Sequence, residues 1–387
     1  MNEWKKVKLG DCIKEVNERT TKNNEYEVLT SSKSGIYSQE EYFDKQVASK
    51  DNTGYKIIKR GQFTYRSMSD NGTFTINRLE NKDIGIVSPA YPVFEATNIN
   101  AEYLKYFFQS EEFRKAIYNL SQGSTRTALK YKDLSNIEIL LPVIEEQEKI
   151  VEIFKEIDSI IMNYGLLLKE KNKFVKSLFA GIFINNAEFD KNKIMNVCKS
   201  IIRGPFGSSL KKEFFVPKGE NTYKVYEQKN AINADATIGT YYIDEKKYNE
   251  LKRFSCVAGD IIMSCSGTIG KIYQLPDDME KGLINQALLK FTLDNKKILP
   301  IYFIEFINFN INNLETKGTG LQNLGSVSYI KEMKIPTPPI ELQNQFTEIV
   351  KQIDKKRILL EQQKQNYENL KKGLMQKLLT GKVRVKI

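Results

Sequence analysis

The sequence predicts two α/β globules that repeat one another, joined by two long antiparallel helices of coiled-coil type. Three observations carry this. A fifteen-residue segment occurs twice, half a chain apart; each copy continues as an apolar seam of helical period; and each is preceded by short β-like runs.

The first globule opens the chain. Leu29, Ile57-Ile58, Phe63, Phe74, Ile76, Ile84 and Ile86-Val87 sit in short apolar runs separated by Gly, Asn and Asp, as strands do. Asn100 to Asn119 then follows a helical period. The segment Ile144 to Asp158 (IEEQEKIVEIFKEID) comes next and matches Ile340 to Asp354 (IELQNQFTEIVKQID) at eight of fifteen positions. At the same offset, Lys176-Ser177-Leu178 falls on Lys372-Gly373-Leu374. Weaker pairs reach back into the globules: Pro142 with Pro338, Gly123 with Gly318, and Gly61-Gln62-Phe63 with Gly259-Asp260-Ile261.

In the first helix Ile150, Phe154, Ile157, Ile161, Tyr164, Leu168, Val175 and Leu178 keep a 3-4 spacing interrupted at Lys171. In the second, Phe346, Val350, Ile353, Leu360, Tyr367, Leu374 and Leu378 keep it, interrupted at Arg357, Lys364 and Lys371. A seam of period 3.5 calls for a helical partner. Proline before each helix and Gly181 or Gly381 after it mark the ends, giving lengths of roughly 50 to 60 Å. The simplest partner for each helix is the other; packing of each on its own globule is the alternative. Between the helices the second globule repeats the first, with Ile261-Ile262, Leu288-Leu289 and a helical segment from Pro300 to Asn313.

The chain of 387 residues carries 59 Lys+Arg against 48 Asp+Glu, a formal charge of +11 that suits a polyanion such as nucleic acid. Cys12, Cys198, Cys256 and Cys265 form no Cys-x-x-Cys pair and read as reduced thiols of a cytoplasmic protein. The start lacks the apolar stretch of a signal peptide, and no run approaches the about 18 apolar residues of a membrane span.

Histidine is absent, which removes the commonest general base and zinc ligand. Thr337-Pro338-Pro339-Ile340 lacks both the amide and the aromatic ring of an adenine methyltransferase tetrad. Gly267-Thr268-Ile269-Gly270-Lys271 is followed by Ile272 and preceded by Cys265 where a P-loop needs glycine. Pro276-Asp277-Asp278 has no downstream carboxylate-x-lysine to complete a nuclease set. No enzyme activity, metal or cofactor is expected of this chain.

The layout resembles the specificity subunits of type I restriction-modification systems over essentially its full length. The residues that carry the resemblance are Trp4 with Val7-Lys8-Leu9-Gly10-Asp11, the helix entries Pro142/Glu145/Gln147 and Pro338/Glu341/Gln343, Ser121 to Thr125, Gly204-Pro205-Phe206-Gly207-Ser208, and the tail Leu374 to Lys382. The first helix shows no multiplied tetrapeptide, and Lys317 to Leu321 lacks the Gln-Gly-Ser of the first globule. The resemblance implies α/β target-recognition domains at 1–143 and 187–338 and spacer helices at 144–186 and 339–387. It further implies an asymmetric bipartite target on double-stranded DNA, two modification (methyltransferase) subunits, and restriction (endonuclease/translocase) subunits. S-adenosylmethionine, ATP and Mg then belong to those partners.

Base readout needs Arg or Lys for guanine, Asn or Gln for adenine, and Ser or Thr for either. The candidates in the first globule are Arg66, Ser67, Ser69 and Asn71, then Gln122, Ser124, Thr125 and Arg126, with Gly123 allowing close approach to a phosphate. In the second they are Ser208, Ser209, Lys211 and Lys212, then Gln228 and Lys229, then Ser264, Ser266, Thr268 and Lys271. Glu145, Gln147, Glu341 and Gln343 are candidates for binding the modification subunits, or else cap the helices. A stand-alone two-armed DNA-binding regulator and a coiled-coil adaptor are the alternative functions.

Overall fold

The computed structural model describes residues 3–43, 50–69, 72–120, 127–186, 188–310 and 327–386. They form two compact units. One comprises Met1–Gly165 with Gln362–Ile387, the other Leu166–Glu361. Each unit therefore holds one globule, a stretch of the first long helix (Ile144–Phe179, 36 residues) and a stretch of the second (Ile340–Leu378, 39 residues).

In the first unit a four-stranded antiparallel sheet runs in the order Ile13–Glu15, Val93–Ala96, Phe63–Thr64, Asn77–Arg78. Two-stranded ladders surround it, among them Lys5–Lys8 with Glu138–Leu141 and Lys56–Lys59 with Ile84–Val87. Phe74 and Ile76 precede a strand rather than lie within one. The helical stretch after Asn100 is two helices, Ala101–Gln109 and Glu111–Leu120. The break falls at Ser110, which is extended (ψ 160°) and whose hydroxyl accepts the Phe113 N–H instead of continuing the first helix. In the core Phe63 and Phe94 stack face to face (interplanar angle 11°), both meet Phe108 edge-on, and Phe108 meets Phe113 edge-on. Ile150 and Phe154 of the first helix and Met375 and Leu378 of the second close it.

In the second unit, four antiparallel strands run in the order Cys198–Arg203, Leu288–Leu293, Ile261–Ser264, Ile272–Gln274. A second sheet orders Tyr242–Asp244, Thr222–Tyr226, Gly282–Ile284 and Ser255–Cys256, with its central pair parallel. Helix Pro300–Phe309 lays Tyr302 on Phe179 and Phe183 of the first helix region and on Phe346 of the second, Phe306 on Phe179, and Phe303 on Phe291 of the sheet.

The repeat read from sequence is visible bond by bond. Gly61 and Gly259 both take positive φ (91° and 83°) at a turn before a core strand. The following residue reaches back three positions in each case: Gln62 Oε1 accepts the Lys59 N–H and Asp260 Oδ2 accepts the Val257 N–H. Likewise the Leu9 N–H donates to the Ile137 carbonyl (2.8 Å) and the Ile194 N–H to the Met333 carbonyl (2.9 Å).

The helices run antiparallel within each unit. In the first, Tyr164 faces Tyr367 with ring centroids 5.8 Å apart, and Lys371 Nζ binds Asp158 at 2.6 Å. In the second, Lys171 Nζ donates to the Ile353 carbonyl (3.2 Å) and Phe179 meets Phe346. Two polar interruptions of the seams, Lys171 and Lys371, thus lock one helix to the other. Arg357 and Lys364 instead pair along their own helix, with Asp354, Glu361 and Glu368. Both packing modes expected from the seam are realised, because each helix buries residues against a globule and against the other helix.

At the helix entries the two glutamines are buried. Gln147 Oε1 accepts the Asn100 N–H (2.8 Å) while its Nε2 donates to the Pro142 carbonyl (2.9 Å). Gln343 Oε1 accepts the Leu299 N–H (2.9 Å) while its Nε2 donates to the carbonyls of Pro338 (2.9 Å) and Lys297 (3.1 Å). Each ties a long helix to the start of its globule's helix. Replacing either by Leu strands a buried backbone donor and acceptor, at about 1–3 kcal/mol per site. Amide exchange then speeds up at Asn100 in Gln147→Leu and at Leu299 in Gln343→Leu, read by exchange mass spectrometry.

Residues 381–385 close the first unit. Glu146 is buried and receives Arg384 on both oxygens (2.7 Å each), Trp4 Nε1 (3.1 Å) and the Val385 N–H (3.3 Å). Gly381, at φ +69°, lies where a side chain would press on the Trp4 ring. The Arg384 guanidinium, aided by Trp4 and Val385, holds the Glu146 carboxyl below its ordinary range. A lowered folded-state pKa means this stabilisation is full above the unfolded glutamate value and disappears as pH falls through the lower folded one. Arg384→Ala lowers the first unit's melting temperature by a few degrees at pH 7. The gap to the parent chain narrows as pH falls below the carboxylate range, which thermal melts across pH check.

Candidate nucleic-acid interface

Polar side chains reach a DNA groove only where a fold holds a loop clear of its core. In the first unit the strand Phe63–Thr64 is tied down by the Thr64 hydroxyl on the Pro92 carbonyl, and Tyr65 is fully buried. Arg66 then emerges exposed, followed by half-buried Ser67, exposed Met68 and half-buried Ser69. The Ser67 carbonyl accepts the Leu129 N–H (2.9 Å), and Met68–Ser69 pairs with Thr127–Ala128. The fold therefore brings Arg66, Ser67 and Ser69 beside the strand that follows the second candidate stretch. Asn71, Gln122, Ser124, Thr125 and Arg126 lie outside the described residues.

Gly72–Thr75, Lys33, Glu111, Arg114, Lys115 and Tyr118 line a groove of about 780 Å³, where Arg114 pairs with Glu111 (3.2 Å) and Lys115 with Glu112 (3.6 Å). Sequence reasoning passed over Lys33 and Tyr118. The readable signal at Tyr118 is an aromatic ring, 67% exposed, on a helix whose buried face is filled by Phe113 and Ile117.

In the second unit the candidate loops converge on the turn Asn285–Ala287. The strand ending at Arg203 runs into Gly204, whose amide donates to the Leu288 carbonyl (3.0 Å). Ser208 is exposed and Ser209 half-buried, its N–H donating to the Phe206 carbonyl. Lys211 and Lys212 are exposed, and Lys211 pairs with Glu213 at 3.7 Å. From strand Ile261–Ser264, on the other side of Leu288–Leu293, comes the loop 264–271, joined by the Cys265 N–H to the Ala287 carbonyl.

Ser266 is half-buried, while Thr268 and Lys271 are exposed. Ser264 is placed differently from its neighbours. It is fully buried, and its hydroxyl donates to the Thr268 carbonyl (2.6 Å) and accepts the Lys271 N–H (3.0 Å). It shapes the loop from below and has no face toward a ligand.

Gln228 begins the short helix Gln228–Asn233 and reaches toward Gly267 of that loop. Lys229 turns away, pairing with Glu227 (2.6 Å) and lying over the Tyr241 ring. Arg203, Phe206, Arg253, Ser266 and Gln286 line a cleft of about 660 Å³. Arg253 and Gln286 carried no signal in the sequence, since each sits among ordinary residues and only the fold brings them beside the glycine loop.

Of the helix-entry candidates, Glu145 and Glu341 are exposed. Gln147 and Gln343 have their amides committed inside the chain and offer a partner nothing. Burial pushes the thiols of Cys198, Cys256 and Cys265 up to about 12, so they are poor nucleophiles. No helix among the described residues is long and apolar enough to cross a membrane.

Removing the Ser264 hydroxyl deletes its two bonds within the 264–271 loop and leaves the backbone bonds of Ser264, Cys265 and Gly270 in place. Ser264→Ala costs about 1–3 kcal/mol for the carbonyl and N–H left without a partner, whereas exposed Thr268→Ala stays within about 0.5 kcal/mol. Denaturant unfolding of the two variants checks the contrast.

Comparison with known proteins gives a consistent answer. A family model described as the type I restriction modification DNA specificity domain matches residues 1–170 and 186–368. The type I restriction enzyme MjaVIII specificity subunit of Methanocaldococcus jannaschii is 25% identical over 323 residues, covering 78% of this chain and 75% of that one. The MjaIX specificity subunit of the same organism is 24% identical over 313 residues, covering 74% and 69%. A solved chain from work on complex assembly and conformational transition of the type I R-M system has the same fold, with a TM-score of 0.65 at 15% identity and 99% of each chain covered.

Proposed function

Because the chain belongs to the type I restriction modification DNA specificity domain family, we propose that it reads an asymmetric bipartite site on double-stranded DNA and scaffolds the catalytic subunits of its system. As a specificity subunit it is itself a non-catalytic component. The recognition domains are 1–143 and 187–338; the stretches 144–186 and 339–387 are the spacer between them.

The observation that carries this reading is the pair of loop clusters with exposed cations: Arg66–Ser69, with Arg66, in one globule, and Ser208–Lys212 and Ser266–Lys271, with Lys211, Lys212 and Lys271, in the other. They stand on globules whose sheets differ, so the two half-sites differ as well. The +11 charge supplies the sequence-independent attraction to phosphates. Helices of about 54 and 58 Å are long enough to separate contacts by one DNA turn of about 34–36 Å.

Two modification subunits dock along these helices, which leave Leu166, Leu167, Phe174, Ile349, Ile358 and Leu359 of the second unit exposed in addition to Glu145 and Glu341. Restriction subunits join that assembly. S-adenosylmethionine, ATP and Mg are held by the partners, which carry the methyl-transfer and translocation chemistry.

The test is adenine-methylation mapping in cells that express this chain with its modification subunit, before and after exchange of residues 1–143 for another recognition domain. A bipartite motif of which only one half changes is the expected result. Absence of any motif while the methyltransferase is expressed and bound sinks the proposal and favours a stand-alone regulator.

A further inference from the structure

Exposing a benzyl side chain forgoes the roughly 1.5–3 kcal/mol that its burial would contribute, and a single exposed ring gains meaning only from what holds it and what surrounds it. Phe206 is 89% exposed, the most exposed of the large apolar side chains among the described residues. Its position is built from both sides. Before it, Gly204 is pressed so closely on the Asn285–Gln286 backbone that a Cβ would lie 1.8 Å from the Asn285 carbonyl oxygen. Pro205 is buried and fixes its own φ. After it, the Ser209 N–H closes a 3-10 turn onto the Phe206 carbonyl (2.8 Å). The backbone that carries the ring is clamped, and the ring is held outward.

Its surroundings are cationic. Arg203 and Arg253 line the same cleft, and neither has a carboxylate partner among the described residues; the same is true of nearby Lys212 in sequence. Ser266 and Gln286 complete the lining with hydrogen-bonding groups. An apolar ring beside unpaired guanidiniums matches a ligand with negative charge at its edge and apolar faces or methyl groups within. Duplex DNA has that chemistry.

In the first globule, the strand Ile13–Glu15 that corresponds to Cys198–Arg203 continues into a segment bound to its own globule. There the Thr20 hydroxyl donates to the Asn52 carbonyl (2.9 Å) and Arg19 to the Gly54 carbonyl (2.8 Å). No aromatic side chain projects from Val16–Thr21.

We propose that Phe206 is the apolar base contact of the second recognition domain, its ring packing on bases of one half-site while Arg203 and Arg253 hold the flanking phosphates. This rests on the reading of the chain as a bipartite DNA reader and adds to it the residue that distinguishes the second half-site from the first.

The experiment uses the full chain assembled with its modification subunits, on duplexes carrying the mapped motif or the motif with either half scrambled. Phe206→Ala is expected to weaken binding to the intact motif by about 10- to 100-fold, the range of a single base contact. It leaves the penalty for scrambling the first half unchanged and shrinks the penalty for scrambling the second. Phe206→Trp keeps most of the affinity, and both variants assemble with the modification subunits in parent amounts. Parent-like DNA binding by Phe206→Ala overturns the proposal. So does loss of the modification subunits with DNA affinity intact in the remaining complex, which makes the ring a protein contact. A parent complex indifferent to both scrambled halves fails at the earlier step, refuting the bipartite reading and this inference together.

Discussion

A backbone N–H taken out of water needs an acceptor, and the places where a long helix leaves a globule are where that demand is hardest to meet. Here one side chain meets it at both junctions. Gln147 and Gln343 each accept an N–H at the start of a globule's helix and return a donor to the carbonyl of the proline before the long helix. A glutamate in that position offers no donor, and a leucine offers neither group. The angle at which helix and globule meet is therefore set by two-way hydrogen bonding through a single amide. Everything distal, including where the loops point, inherits that angle.

On this repeated frame the globules diverge. The first carries a four-stranded sheet with small satellite ladders; the second has two four-stranded sheets, one with a parallel pair. The frame residues are apolar or internally bonded, whereas the loops at the sheet ends are polar and basic. That division lets the loops vary without disturbing the joints. Asp158 shows how tightly the joints are made in the first unit, bridging Tyr106 of the globule and Lys371 of the second helix.

The frame was legible in the sequence because periodicity and self-similarity survive in one dimension. The seams, the two helix lengths and the pairing of Gly61 with Gly259 could be read directly, while the turn that each glycine makes came from the fold. Orientation could not. Nothing in the sequence says that Gln147 points inward while Glu145 points out, or that Ser264 is a buried pin while Ser266 lines a cleft. Polar residue types mark a loop, but burial of an individual hydroxyl depends on neighbours from strands far away in the chain. Arg253 and Gln286 were invisible for the same reason, and the break at Ser110 was hidden by an apolar period that runs through it.

The clamp of Arg384 and Val385 on Glu146 also has a consequence for how the polypeptide is made. The second unit is a continuous stretch, Leu166–Glu361, and has all its parts once that stretch has left the ribosome. The first unit needs Met375, Leu378, Leu379 and Arg384 to finish its core, so its globule emerges first and is completed last. During translation Ile150 and Phe154 await partners more than 200 residues downstream. A nascent chain in that state exposes apolar surface for tens of seconds at ordinary elongation rates of about 5–20 residues per second. The order of synthesis thus makes the amino-terminal arm the one that depends on chaperone protection or on early capture by a partner.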